Sequence, residues 1–219
     1  MKYVVANWKQ NFNLVDTENW CSEFLHKITT YDLRNTHIIV CPPLPFLTKA
    51  REFLSPAGIF VGAQDISEWN SGAHTGYVGG RQLVGLCSYA IVGHSERGEP
   101  RESVERKVEV SLNSGIQPIV CFKSPSDFAA YKSSIYALED PANISKGGVY
   151  SPKPISNVTE LVKEARAFFG SGAPIIYGGS VTSETAGELA GVSGLDGVLV
   201  GNASLNPIEF AGIVEKFIL

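Results

Sequence analysis

Residues 174–204 read PIIYGGSVTSETAGELAGVSGLDGVLVGNAS, a stretch with two short apolar strands that each lead into a glycine-marked turn. The turns are YGGSV at 177–181 and VGNAS at 200–204. Small residues let a backbone approach an anion closely, and the first N–H groups of a following helix point their donors at it. Two such turns in succession are typical of the last two strands of a (β/α)8 barrel, where they bind phosphate.

Six further apolar runs precede these two strands. They are continuous rather than alternating and rich in Val and Ile, which predicts parallel strands that are buried on both faces. Helical patterns separate the strands, except that the short segment between the fifth and sixth leaves room for at most a stub of helix. The eight predicted strands are residues 3–6, 37–41, 59–63, 89–92, 117–121, 134–138, 174–177 and 197–200.

The predicted fold class is therefore α/β, a single (β/α)8 barrel domain over residues 1–219 with a shortened fifth βα unit. A doubly wound open sheet is disfavoured, because its glycine fingerprint follows the first strand and the turn here, Asn7-Trp8-Lys9-Gln10-Asn11, has no glycine. The clearest helical pattern covers residues 158–169, where Asn157 and Glu160 predict a capping box at its start. Asn206 followed by proline predicts the start of the last helix.

Composition excludes several functional classes. Hydrophobic residues make up 44% of the chain, charged residues 18%, and the net charge is −4, which predicts a soluble globular protein without a basic face for nucleic acid. The apolar run at the N-terminus is too short for a secretory signal, and no stretch is long enough to span a membrane, so we expect a cytoplasmic protein. No C-x-x-C pair or closely spaced histidines occur, which argues against a metal site and favours reduced cysteines; we expect no cofactor. The four cysteines are Cys21, Cys41, Cys87 and Cys121.

Polar residues that directly follow the strands are the candidates for chemistry, because the strand C-terminal ends of a barrel meet at one face. Lys9, taken alone, is typical of a solvated loop. His94 is either a turn histidine or, at the predicted start of a helix, an imidazole kept neutral by nearby N–H dipoles. Glu139 is either a structural ion-pair partner or a general base. The complete set of strand-end candidates is Asn7, Lys9, His94, Glu96, Glu139 and the two glycine-marked turns.

These candidates arrive in an order that resembles the triosephosphate isomerase family. The matching stretches, which extend over nearly the whole chain, are NWK at 7–9, GAHTG at 72–76, IVGHSER at 91–97, ALE at 137–139, YGGSV at 177–181 and LVGNASL at 199–205. The resemblance implies interconversion of dihydroxyacetone phosphate and glyceraldehyde 3-phosphate through an enediolate, a step of glycolysis and gluconeogenesis.

The resemblance also assigns roles to residues. Glu139 would be the base, His94 the neutral electrophile and Lys9 the cation that binds substrate beside Asn7, with Glu96 as a supporting carboxylate. The phosphate-binding set would be Asn7, Lys9, Ser145, Ser180, Gly201 and Asn202.

Several positions depart from the family pattern. After Glu139 the family has Pro, Trp and then Ile-Gly-Thr-Gly, whereas this chain reads DPANISKGG at 140–148, with Asp140 next to the base and Ser145 where a glycine N–H would meet the phosphate. The family's Cys-Ile-Gly-Glu after strand five reads CFKS at 121–124, and Gly-Gly in the last turn reads Gly-Asn. These changes leave open a catalytically impaired barrel that still binds phosphorylated ligands, or another sugar-phosphate barrel enzyme.

The loop at residues 69–81 corresponds to the segment that enters a neighbouring subunit in the family. It keeps GAHTG at 72–76, but Tyr77 stands where the family has glutamate. Exposed Trp69 and Tyr77 would otherwise leave aromatic surface in water, so we expect a homodimer formed through this loop.

Overall fold

The computed structural model describes residues 1–139 and 153–218, and these form a closed barrel of eight parallel strands. Each strand pairs with its neighbour in sequence, and β1 pairs with β8 to close the sheet. The predicted fold is confirmed, and each predicted strand boundary is correct to within one residue. The strands are β1 Lys2–Asn7, β2 Thr36–Cys41, β3 Phe60–Ala63, β4 Tyr89–Val92, β5 Gln117–Phe122, β6 Ile135–Leu138, β7 Ile175–Tyr177 and β8 Gly197–Val200.

Helices follow every strand of the barrel except β5, and they surround it. Between β5 and β6 the chain forms only a 3-10 turn at Pro125–Asp127, as the short fifth unit predicted. The α-helices are α1 Leu14–Lys27, α2 Leu47–Leu54, α3 Gly80–Leu83, α4 Arg101–Asn113, α5 Ile155–Phe169, α6 Ser183–Ala190 and α7 Pro207–Glu215.

Alternation of side chains explains why the strands read as continuous apolar runs. In β1, Val5 belongs to a small cluster inside the barrel, whereas Val4 and Ala6 belong to the larger core between strands and helices. Ile39 and Ile119 likewise point into the interior cluster. Both faces of each strand are thus buried, as is usual when helices cover a parallel sheet.

Of the two predicted helix starts in the second half of the chain, one needs correction and one is confirmed. Helix α5 begins at Ile155 after Pro154, with no side-chain cap, so the proposed capping box of Asn157 and Glu160 is wrong. The proline at the boundary supplies a fixed φ and directs the chain into the helix three residues earlier than predicted. Asn206 does cap α7, because its side-chain oxygen accepts from the N–H groups of Ile208 and Glu209.

The cysteines, the helix lengths and the candidate metal ligands can be read directly from the described residues. All four cysteines are free, and only Cys87 is not fully buried. Within residues 1–139 and 153–218, no helix has the length and apolarity to cross a bilayer, and no group of three His, Cys, Asp or Glu side chains is arranged to hold a metal ion. The expectation of one domain over residues 1–219 stays a prediction.

Candidate active site

The barrel brings the strand-end candidates to one face. Asn7, Lys9, His94 and Glu139 line a small cleft of about 20 Å³ together with glycines of the two C-terminal turns. A wider cavity of about 620 Å³ opens beside it, lined by Asn7, Lys9, His94 and also Glu96. Residues as far apart in the chain as Asn7 and Gly201 are therefore neighbours here, because parallel strands all end at the same face.

The geometry around His94 gives its two ring nitrogens different partners. The N–H of Glu96 donates to His94 Nδ1 at 3.2 Å, so this nitrogen carries no proton. Nε2 therefore carries the hydrogen and faces Glu139 Oε1, also at 3.2 Å. The ring is almost fully buried, with 6% of its surface exposed. The proton on Nε2 is thus the one available to a ligand.

The predicted helix start at Ser95 and Glu96 is wrong. Residues 95–97 form a turn closed by the N–H of Arg97 on the carbonyl of His94, and helix α4 begins only at Arg101. The N–H dipole that faces the imidazole therefore belongs to a tight turn rather than to the first turn of a helix.

Glu139 is a buried carboxylate with elevated proton affinity. It ends β6 and is 3% exposed, and this burial raises its pKa above the ordinary value. The contact with His94, the N–H of Ser95 at 3.2 Å from Oε2, and the charge of Lys9 act against burial but do not cancel it. A carboxylate whose pKa is raised in this way is a stronger base than one in water.

Cys121 lies in the same buried region as Glu139. Burial and the charge of Glu139 raise the pKa of the Cys121 thiol well above its usual value. The thiol is therefore protonated at neutral pH and is a poor nucleophile.

Lys9 supplies the positive charge at the site. Its ammonium Nζ lies 2.6 Å from Glu96 Oε1, and its own N–H donates to Asn7 Oδ1 at 3.0 Å. Its backbone is left-handed, with φ of 51°, an uncommon conformation for a residue with a long side chain. Gln64 Nε2 donates to the Lys9 carbonyl at 2.8 Å. The predicted cation is thus present, and its backbone is fixed from two sides.

Gln64 was missed in the sequence, although the rule that found the other candidates also applies to it. It directly follows β3, which ends at Ala63, and polar residues after the third strand were not considered.

A group of ion pairs behind His94 was also missed. The buried ammonium of Lys107 lies 2.6 Å from Asp65 Oδ1 and 2.5 Å from Glu99 Oε1, and Arg97 contacts the same two carboxylates. Burial raises the pKa of Glu99, but the hydrogen bonds from Lys107 and Arg97 outweigh it and lower the pKa overall. The ion pairs connect the turn after β4 to helix α4 and to the loop after β3. The spacing of the paired residues in the sequence does not predict these contacts.

The two glycine-marked turns lie where they were predicted. Helix α6 starts soon after the first turn, with Thr182 as its N-cap, but the second turn leads into a 3-10 helix, Asn202–Leu205, before α7. A Cβ on Gly178 would lie 3.0 Å from Glu139 Cγ, and one on Gly201 would lie 3.4 Å from Lys9 Cε. These glycines therefore leave space for the base and for the cation.

The remaining phosphate candidates are only partly placed. Ser180 is buried in the first turn, and Asn202 begins the 3-10 helix. Ser145 and its neighbour in the departure from the family pattern, Asp140, lie outside the described residues.

The loop at residues 69–81 presents a cluster of rings. Trp69 stacks on His74 at a centroid distance of 4.2 Å and meets Tyr77 edge-on at 5.2 Å. Tyr77 is 58% exposed and Trp69 38%. The predicted aromatic surface is therefore present in this chain.

Comparison with known proteins agrees with this geometry. The family model for triosephosphate isomerase matches residues 2–217. A triosephosphate isomerase of Granulibacter bethesdensis is 33% identical over 243 residues, covering 97% of each chain. Those of Polynucleobacter asymbioticus and Aquifex aeolicus are 31% and 30% identical, with coverage of 97% and 99% of this chain. With the site residues in place at the barrel mouth and the match spanning both ends of the barrel, the chain belongs to the triosephosphate isomerase family.

Proposed function

We propose that the chain is an active triosephosphate isomerase, which interconverts dihydroxyacetone phosphate and glyceraldehyde 3-phosphate. The observation that carries the proposal is the pair of Glu139 and His94, in which a buried carboxylate with raised pKa lies 3.2 Å from the N–H of a neutral imidazole. A base and a hydrogen-bond donor side by side are what proton abstraction next to a carbonyl requires.

The first step is proton transfer to Glu139. Its carboxylate takes a proton from the carbon beside the ketone, and the electron pair of that C–H bond forms the C=C bond of an enediolate. The former carbonyl oxygen gains negative charge, which the Nε2–H of His94 and the ammonium of Lys9 stabilise. The hydroxyl proton on the carbon that lost its hydrogen passes to the former carbonyl oxygen. Glu139 then returns its proton to the neighbouring carbon, and the aldehyde results. A glutamate base and a neutral histidine are the established general acid–base groups of this enzyme class.

The other residues bind and orient the substrate in this proposal. Asn7 and Lys9 contact it on one side, and Glu96 fixes the Lys9 ammonium through their contact at 2.6 Å. The phosphate lies against the turns of Ser180 and Gly201-Asn202, whose small residues permit close backbone approach. Ser145 is assigned to the phosphate site only by its position in the family motif.

The closest competing hypothesis is a barrel that binds phosphorylated ligands without efficient turnover. It was motivated by the altered residues 140–148, whereas the presence of Asn7, Lys9, His94 and Glu139 in one cleft favours an active enzyme. The relatives of about 30% identity that carry the name triosephosphate isomerase also favour activity.

A coupled assay with glyceraldehyde 3-phosphate separates the two hypotheses. We expect turnover by the wild type, a loss of about 10²–10⁴-fold in Glu139→Gln, and no loss in the surface control Lys163→Gln. Thermal melting with 2-phosphoglycolate, an enediolate mimic, is measured in parallel. A raised melting temperature with negligible turnover would establish the impaired barrel instead.

We further propose that the chain forms a homodimer through residues 69–81 and works in the cytoplasm, with no nucleic-acid or membrane partner. The exposed rings of Trp69 and Tyr77 support a protein interface, and the free cysteines suit a reducing compartment. Sedimentation equilibrium of the wild type and of Tyr77→Ser tests the interface. A wild-type monomer at micromolar concentration would exclude it.

A further inference from the structure

We propose that Gln64 is a positioning residue for catalysis, because it fixes the backbone from which the Lys9 ammonium reaches the substrate. The inference deepens the proposed isomerase function and rests on it. Gln64 itself is not expected to touch the substrate.

The conformation of Lys9 needs support from its surroundings. Lys9 and Phe12 both have left-handed backbones, with φ of 51° and 70°, in a loop without glycine. Such conformations persist in residues with side chains only where neighbouring groups hold them. The question is which groups hold the peptide of Lys9.

Two side chains hydrogen-bond to that residue's backbone. Asn7 Oδ1 accepts from the Lys9 N–H at 3.0 Å, and Gln64 Nε2 donates to the Lys9 carbonyl at 2.8 Å. The second hydrogen of Nε2 goes to the carbonyl of Cys41 at 2.9 Å, at the end of β2. The N–H of Trp8 donates to the same carbonyl at 3.2 Å. Gln64 therefore connects the loop after β1 to β2 from its own place at the end of β3.

An amide is the group that suits this position. Both contacts are made to carbonyl oxygens, so two donors on one atom are required. A carboxylate of the same shape would place negative charge against both carbonyls, and a thioether would offer no donor. Gln64 is therefore not replaceable by Glu or Met without loss of both hydrogen bonds.

The carbonyl that Gln64 holds belongs to the residue that carries the catalytic cation. The Lys9 ammonium is aimed between Glu96 at 2.6 Å and the space above Gly201, where a Cβ would lie 3.7 Å from Nζ. A rotation of the Lys9 peptide would swing the side chain away from this position. Displacement of a catalytic group by about 1 Å can cost about 10²-fold in rate.

The test is a double-mutant cycle between Gln64 and Lys9, read by the Kd of 2-phosphoglycolate and by kcat. We expect Gln64→Met to weaken binding by about 10-fold and to lower kcat by about 10–100-fold. In the Lys9→Met background the same change should weaken binding by less than twofold, because the group it positions is already gone. Gln64→Glu, which keeps the shape, should be at least as impaired as Gln64→Met.

Thr36→Val is the matched control, because it removes a buried hydrogen bond, to the carbonyl of Phe217, at the opposite face of the barrel. It should lower the melting temperature without changing the Kd. Independent losses that multiply in the Gln64/Lys9 double variant, or wild-type affinity in Gln64→Met, would overturn the proposal.

A crystal structure of Gln64→Met decides the matter independently of the proposed function. We expect Lys9 to leave the left-handed region and its ammonium to separate from Glu96. An unchanged Lys9 in this variant would overturn the positioning role, whether or not the wild type is active. Failure of the wild type to bind 2-phosphoglycolate and to turn over substrate would instead refute the proposed function.

Discussion

The left-handed backbone of Lys9 should make Lys9→Gly more stable than Lys9→Ala. Both variants lose the ammonium and its contact with Glu96, so they differ in the cost of φ near 51° and in the freedom of the unfolded chain. That conformation costs about 1–2 kcal/mol for a residue with a Cβ. Glycine avoids this cost but loses about 0.5–1 kcal/mol through its larger freedom in the unfolded chain. The net advantage of glycine is therefore about 1 kcal/mol.

Urea unfolding of the two variants measures this difference directly. In a chain of this length a difference of about 1 kcal/mol corresponds to about 2–4 °C in Tm. Lys163 provides a control of opposite sign, because it lies inside helix α5, where alanine is favoured over glycine by about 1 kcal/mol. If Lys9→Ala were as stable as Lys9→Gly while the Lys163 pair behaved as expected, the left-handed conformation would carry no cost and the argument for its support by Gln64 would fail. Activity should fall about equally in both Lys9 variants, by about 10²–10³-fold.

Two further predictions concern Glu139. In Gly178→Ala the new Cβ would lie 3.0 Å from Glu139 Cγ, so the base must shift. We expect steady-state kinetics to show a fall in kcat of about 10²-fold with little change in KM. An unchanged kcat would show that the Glu139 side chain accommodates the added methyl group without leaving its catalytic position. The raised pKa of Glu139 means that the folded state holds the proton more tightly than the unfolded chain does, so this residue's stabilising contribution is complete below the ordinary pKa of 4.5 and is lost as pH rises through the raised value. Urea unfolding at several pH values in this range should show the decline in the free energy of unfolding for the wild type but not for Glu139→Gln. As Glu139 becomes protonated, kcat/KM should fall. Parallel stability curves for the two proteins would contradict the raised pKa of Glu139.

The strands could be predicted because each depends on local sequence. Continuous apolar runs identify strands that are buried on both faces, and every run became a strand of the barrel. Helix starts were less predictable, since Asn157 is a favoured cap residue but α5 begins after Pro154, and the choice depends on how the helix packs. Phe168 shows the same limit, because it is an apolar residue of the helical pattern predicted over residues 158–169, yet 49% of its surface is exposed.

The candidate site likewise contains residues that the sequence predicts and residues that it does not. Glu139, His94 and Lys9 were found because each follows a strand, and strand ends converge whatever the loops do. The ion pairs of Lys107 with Asp65 and Glu99 could not be found, because they join side chains 42 and 8 positions apart with no periodicity. Gln64 satisfied the same strand-end rule, but its role depends on the carbonyls of Lys9 and Cys41, which only the folded barrel brings to it.

The three central groups should not act independently, because each sets the state of another. Burial raises the pKa of Glu139, and the charge of Lys9 partly opposes this rise. The N–H of Glu96 keeps His94 Nδ1 unprotonated, so Nε2–H must point to Glu139 until a ligand oxygen replaces that partner. Glu96 also fixes Lys9 through its carboxylate. One residue thus holds the imidazole by its backbone and the ammonium by its side chain. Replacing the Glu96 side chain should therefore displace the Lys9 ammonium and leave the tautomer of His94 unchanged. Such a variant distinguishes the contribution of Lys9 to stabilising the enediolate from that of His94.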